Sequence, residues 1–319
     1  MDLALLISIV AVAIQAGVSL VYATVGEIFT ERSGVLNLGV EGMMIMGAVT
    51  AFAAAYHSGS AWLGVLTAVA VGAALALIHA FLTITLRADQ VVSGLALTIF
   101  GSGLASFLGQ RLGPGGKPLV GLVGPRFMPV ELPVLSEIPV VGKALFAQNV
   151  LVYIMYVLVP VAAYWIYKTR PGLHLRAVGE NPATADALGI GVFRTRYAYT
   201  VFGGMLVGLG GAALSLAYTP GWTENITGGR GWIAIALVIF ALWDPWRALL
   251  GALLFGGVNA IQFRLQAAGT TIPAPFLNML PYLFTILVLT IVTVYESVSK
   301  RVGAPAALGL PYVRGERTG

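Results

Sequence analysis

Few side chains in this 319-residue chain could do covalent chemistry, and their spacing argues against catalysis. There is no Cys, so disulfides, thiolate metal sites and Cys nucleophiles are excluded. His57, His79 and His174 stand far apart and form no metal-ligand pair. GPGGKP at 113–118 has a Gly-Lys step but neither the spacing nor the hydroxyl of G-x-x-x-x-G-K-[ST], so the chain has no Walker loop for ATP. No G-x-S-x-G occurs, and no carboxylates pair at short spacing inside the expected spans. The expectation is no catalytic residue, no metal and no cofactor bound by this chain.

The polar residues inside apolar stretches are of another kind. Glu41 is the one carboxylate clearly inside an expected span, where an ionisable group is costly unless paired or wet. Asn37, four residues earlier, is expected on the same helix face. Two roles are open to Glu41, a tie between helices and a lining residue of a solute route. Asn259 with Gln262, and Asn278 with Tyr282, share faces of later spans, and Gln90 and Ser93 open another. Amides and hydroxyls suit passage of a polar, uncharged solute, because they exchange hydrogen bonds without demanding a counter-ion. Interhelical hydrogen bonding, worth under ~1 kcal/mol each, is the plainer role open to every one of them.

The elements that must position these residues are membrane helices. Hydrophobic residues make up 58% of the chain and charged ones 10%, against about 25% charged in soluble proteins. Mean hydropathy is +0.89. Lipid must be the solvent for most of this surface. The opening MDLALLISIVAVAIQAGVSLVYA carries Asp2 where a signal peptide has a basic segment, so it is expected to stay as a first span.

Expected spans run at 4–26, 35–55, 61–85, 91–110, 149–168, 198–218, 231–243, 246–266 and 276–298. The fold class expected is therefore all-α and polytopic, with about nine transmembrane or re-entrant helices in one domain over 1–298 and a tail at 299–319. The 231–243 stretch is too short to cross, since ~20 residues are needed. With the preceding TPGWTENITGGRG it reads as a broken, re-entrant element. TERSGVLNLGVEG at 30–42 and TENITGGRGWIAI at 223–235 both set Thr-Glu and a small-residue break before an apolar helix, which hints at an internal repeat. Glycine runs such as 203–213 and 251–257 read as close-packing helix faces.

Of 18 basic residues, 12 share one side if 169–197 is cytoplasmic: Arg32, Arg87, Lys168, Arg170, Arg176, Arg194, Arg196, Arg247, Lys300, Arg301, Arg314 and Arg317. This puts the N-terminus outside, the C-terminus inside and the long Pro- and Gly-rich connection 111–148 outside, as an ordered, extended cover. The slight basic excess is topogenic and implies no nucleic-acid partner. The inner connection 169–197 holds GENPATADALGIG. Asn181 is an expected N-cap, Pro182 suits the first helical position and Gly189 suits a left-handed stop. So long and deliberately capped a connection reads as a docking helix for a partner.

Several strings resemble the permease subunits of ABC importers for simple sugars, nucleosides and branched-chain amino acids. They are GEIFTERSGVLNLGVEGMMIMGA at 26–48, DQVVSGLALTIFG at 89–101, RAVGENPATADALGI at 176–190, GRGWIAIALVIFALWDP at 229–245 and MLPYLFTILVLTI at 279–291. GVEGMM, GRGWIAIALVIF and the tail APAALGLPYVRGE at 304–316 place the likeness with the nucleoside branch. The resemblance implies a multi-pass cell-membrane permease with a separate ABC ATPase, which holds the ATP and Mg. It also implies an extracytoplasmic binding protein that meets outer loops such as 111–148, and a second, different permease subunit. Residues 176–190, with Glu180, Asn181, Pro182, Ala187 and Gly189, would be the segment that couples to the ATPase. The implied cargo is a nucleoside, a purine one first, with a ribose-like sugar as the alternative. An ion-coupled transporter would want more intramembrane charge than Glu41, and a passive channel would leave the capped inner loop unexplained.

Overall fold

The computed structural model describes residues 3–139, 141–267, 270, 272–299 and 303–314. Helix α1 (Leu3–Arg32) is followed by an irregular break and then α2 (Val40–Ser58), α3 (Ala61–Ala80) and α4 (Gln90–Arg111). A π-helical turn, Phe81–Thr85, extends α3. In the long connection, β1 (Pro129–Glu131) pairs antiparallel with β2 (Ala147–Asn149), and α5 (Val141–Phe146) lies between them. Then come α6 (Val150–Lys168), α7 (Arg170–Glu180), α8 (Pro182–Ala187) and α9 (Val192–Ala213), the last extended by a second π-helical turn at Leu214–Tyr218. After a second irregular stretch, α10 (Arg230–Phe240), α11 (Pro245–Ala267) and α12 (Ala274–Ser299) complete the fold.

Among the described residues, six helices are long and apolar enough to cross a membrane: Ile7–Arg32, Ala61–Thr85, Gln90–Arg111, Val150–Lys168, Val192–Tyr218 and Pro245–Gln266. The other three expected spans are also helical, as α2, α10 and α12. Eleven residues give α10 a rise of only about 16 Å, so it enters the protein without crossing it.

Three sequence expectations are corrected. The first span does not end at 26; α1 continues to Arg32 and carries Glu27 and Glu31, one turn apart and both buried. Glu41 is thus not the one intramembrane carboxylate, and carboxylates do pair at short spacing. Second, Asn37 is not on a helix. It lies in the break before α2, so the face shared with Glu41 does not exist. Third, α9 begins at Val192 rather than 198, which makes Arg196 a fully buried helical residue and not part of a surface connection.

The chain order α1–break–α2–α3–α4 recurs as α9–break–α10–α11–α12, and the packing follows the same scheme. The α3 helix lies against α9 as its counterpart α11 lies against α1, while α1 and α9 meet each other. Glycines set these approaches. A Cβ on Gly26 of α1 would stand 2.6 Å from the Gly203 carbonyl oxygen of α9, and one on Gly17 would stand 2.9 Å from the Ala252 oxygen of α11. Helices in lipid associate by such close backbone packing, because burying apolar surface there gains little.

The tail does not hang free. The Ala307 N–H donates to Gly179 O at 2.9 Å, and the Gly309 N–H to Gly34 O at 3.3 Å. Arg196 donates from Nη1 to Leu310 O at 3.0 Å. Tyr312 is buried with Val178, Ala185 and Val192. The tail therefore ties the break after α1 to the short helices α7 and α8.

Candidate functional site

Each of the two irregular stretches is held by polar side chains. In the first, the Leu36 N–H donates to Gln90 Oε1 at 2.6 Å, and Leu36 O meets His79 Nε2 at 3.0 Å. The Asn37 N–H donates to Glu27 Oε1 at 3.2 Å, Thr98 Oγ1 donates to Leu38 O at 2.9 Å, and Asn37 Oδ1 accepts from the Gly39 N–H at 2.9 Å. Ser93 reaches His79 Nδ1 at 3.0 Å. Non-helical backbone at membrane depth persists only when its polar groups are satisfied within the protein. Gln90, Thr98 and Asn37 do this here, together with His79 and Glu27, and Ser93 holds the His79 ring.

In the second stretch the agent is Glu41. Its Oε1 accepts from Thr227 Oγ1 at 2.5 Å and from the Gly229 N–H at 3.1 Å, and its Oε2 accepts from the Gly231 N–H at 2.6 Å. Those amides are the free N–H groups at the start of α10. A carboxylate there satisfies the donors and opposes the helix dipole. No side chain within the 223–231 stretch caps α10; the cap comes from α2, 190 residues earlier. The two strings read as a repeat thus pack directly on one another.

Beside this junction lies a cleft of about 310 Å³ lined by Ile226, Thr227, Gly228, Arg230, Ile233, Asn259, Gln262, Pro281 and Tyr282. The Tyr282 hydroxyl donates to Gly228 O at 2.7 Å. The Arg230 guanidinium lies over the Tyr218 ring at 5.1 Å and donates to Ala16 O at 2.9 Å. Asn259 donates to Phe255 O of its own helix at 3.2 Å and borders the cleft. Of the residues expected to suit a solute route, Asn259, Gln262 and Tyr282 border the cleft and Glu41 stands behind its wall. Asn37, Gln90 and Ser93 gather in the first break instead. The Asn278 side chain lies outside the described residues. Arg230, an external charge by the sequence count, is half-buried in this wall.

Glu27, Glu31, His79 and Arg230 were not among the residues expected at a site. A usable signal existed for the first two, since Glu27 and Glu31 stand at helical spacing directly after a long, uncharged and mostly apolar run. Glu31 Oε2 accepts from the Trp243 indole N–H at 2.6 Å. Nothing local to 27–31 points to that partner.

The inner connection forms as its residues predict, and with one helix more. Asn181 Oδ1 accepts from the Thr184 N–H at 2.9 Å, Pro182 opens α8, and Gly189 takes φ +83. The extra helix is α7, capped by Thr169. Leu188 is 76% exposed directly after α8. A cleft of about 580 Å³ runs between this corner and α9, from His174 and Asp186 to Arg194 and Arg314.

Comparison with known proteins agrees with this architecture. The chain is 41% identical to the provisionally named glucose ABC transporter permease TsgC13 of Haloferax volcanii, over 94% of this chain and 96% of that protein. It is 35% identical to the guanosine ABC transporter permease NupQ of Bacillus subtilis, over 99% and 100%. It is 36% identical to the nucleoside ABC transporter permease NupC of Lactococcus lactis, over 92% and 93%. A solved ABC transporter, provisionally of metal-chelate type and inward-facing, matches in fold with a TM-score of 0.50 at 15% identity, covering 90% of this chain and 84% of its own. The family described as branched-chain amino acid transport system / permease component matches residues 8–292, and the chain belongs to it.

Proposed function

We propose that this chain is the membrane permease of an ATP-driven nucleoside importer and that the cleft at Arg230, Asn259 and Tyr282 belongs to the solute route. The observation that carries the reading is the grip of Glu41 on the start of α10, beside a cleft lined by amides, hydroxyls, one aromatic ring, the Arg230 guanidinium and a few apolar side chains. Those groups can bind a neutral solute with ring and hydroxyl edges without a counter-ion. Guanosine and nucleoside in the names of two full-length relatives support the cargo. Glucose in the name of a third favours a second reading, a hexose.

In this proposal ATP and Mg are held by a partner ATPase, against which Glu180, Asn181, Pro182, Ala187 and Gly189 present the α7–α8 corner. Exposed Leu188 is the apolar anchor of that contact. The tail then carries motion at α8 to the break after α1 through Gly179 O and Gly34 O. A second, different permease subunit completes the pathway, and a binding protein delivers solute at the 111–148 side. The N-terminus is outside and the C-terminus cytoplasmic. Uptake of labelled guanosine by cells expressing this chain with its partner subunits tests the cargo. Competition by unlabelled adenosine is expected. Competition by glucose or ribose, with none by adenosine, would replace the nucleoside with a sugar.

A further inference from the structure

A second groove is larger than the cleft at Arg230 and Tyr282. It holds about 660 Å³ and runs between α6 and α9, walled by Leu158, Val161, Ala162, Trp165, Ala198 and Phe202, with Phe29 of α1 among its lining. Both helices are long and apolar enough to span a membrane, so this groove lies along the hydrocarbon. Its end is different in character. His174 and Arg194 border it there, both exposed. Neither has a hydrogen bond or ion pair among the described residues, whose ion pair is Arg314 with Asp186. His174, Arg194 and Thr195 also border the polar cleft below α8. The groove therefore opens, at its basic end, into a polar space.

The aromatic residues mark the boundary between the two environments. The Trp165 indole N–H donates to the Tyr199 hydroxyl at 3.0 Å, and that hydroxyl donates to Pro171 O at 3.3 Å. Such amphipathic rings settle where acyl chains give way to headgroups. Apolar walls, an aromatic rim and a basic mouth follow one another in the order of the parts of a phospholipid.

We propose that this groove binds an anionic phospholipid, with one acyl chain along α6 and α9 and the phosphate at Arg194 and His174. Basic pockets between membrane helices favour anionic headgroups, because each Lys or Arg near the surface adds electrostatic attraction to the apolar burial. The carboxylate on the far wall, Asp186, is already engaged by Arg314 at 3.0 Å and does not repel the phosphate unscreened. A helix from another subunit fits the mouth less well, because covering Arg194 and His174 with apolar surface would strip them of water without replacing it.

The test is native mass spectrometry of the protein purified from membranes with the subunits that accompany it. Phosphatidylglycerol and phosphatidylcholine of identical chains are offered in equal amounts. Wild type should retain phosphatidylglycerol in preference. Arg194→Gln, an exposed substitution that leaves the core untouched, should lower that preference about fivefold. Ala198→Trp, which fills the groove, should lower the occupancy of both lipids. Equal retention of the two lipids by wild type overturns the proposal, as does unchanged selectivity in Arg194→Gln. Efficient disulfide formation between Ala198→Cys and a cysteine on another subunit also overturns it, by showing that protein covers the groove. None of these readouts depends on which solute is imported.

Discussion

Glu41 Oε2 and the Gly231 backbone N–H are 2.6 Å apart, and this one bond joins the helix after the first break to the helix after the second. Two further donors, Thr227 Oγ1 and the Gly229 N–H, converge on the other carboxylate oxygen. Side-chain loss at Glu41 therefore leaves three donors short of an acceptor.

Glu41→Ala should lower the melting temperature of the purified protein and abolish most uptake, at about 1–3 kcal/mol for each buried donor left unpaired. Glu41→Gln keeps one carbonyl oxygen but loses the charge opposing the α10 dipole, and should fall between wild type and alanine. Unchanged melting and uptake in the alanine variant would show that Glu41 does not hold α10 in place.

Substitutions at the corner proposed to meet the ATPase separate folding from function. Gly189 has φ +83 and open space around its Cα. Gly189→Val strains the turn, because a β-branched residue resists positive φ, but it clashes with nothing inside the chain. Ala187→Glu is likewise exposed. Membrane levels should stay near wild type while co-purification of the ATPase and solute-stimulated hydrolysis fall. If both activities survive, α8 is a connector only.

The tail contacts differ in strength by position. Arg314 and Asp186 form an ion pair with Arg314 77% exposed, and such pairs contribute about 0–1 kcal/mol. Arg314→Ala should leave the melting temperature almost unchanged. Gly179→Val should not, since its Cβ would collide with Arg32 O, where α7 crosses the end of α1. A larger shift from Arg314→Ala than from Gly179→Val would reverse this ranking.

The glycine seam between α3 and α9 gives a paired control. A side chain on Gly208 would strike the Ala68 carbonyl, whereas a Cβ on Gly103 of α4 would meet no atom within 4 Å. Gly208→Leu should cost several kcal/mol, above the ~1–3 kcal/mol of ordinary overpacking, because backbone must move. Gly103→Ala should be neutral or slightly stabilising from helix propensity. Thermal melting in detergent, with membrane yield, decides between them.

Single cysteines in this Cys-free chain test the orientation. Val123, 88% exposed in the 111–148 connection, and Ala187, exposed at the end of α8, serve as reporters. An impermeant thiol reagent should label Val123→Cys in intact cells and Ala187→Cys only after permeabilisation. The opposite pattern would invert the protein in the membrane and remove the ATPase from the α8 side.

Local chemistry was readable from the sequence wherever one segment holds all the partners. The α7–α8 corner shows this: Asn181, Pro182 and Gly189 cap, start and stop a helix using only backbone groups within a few residues. Apolar length likewise set where helices lie, because the hydrocarbon core demands it. The second break was legible too, because the apolar stretch after it is too short to cross; the first was another matter. That Asn37 leaves the helix follows from Glu27, Gln90 and Thr98 satisfying the backbone around it, and those partners come from two other helices. Glu31 meets Trp243, and Glu41 meets Gly231, across some two hundred residues. Apolar periodicity reports burial but not the partner of a buried polar group, so the helices were written in the sequence and the polar junctions between them were decided by tertiary packing.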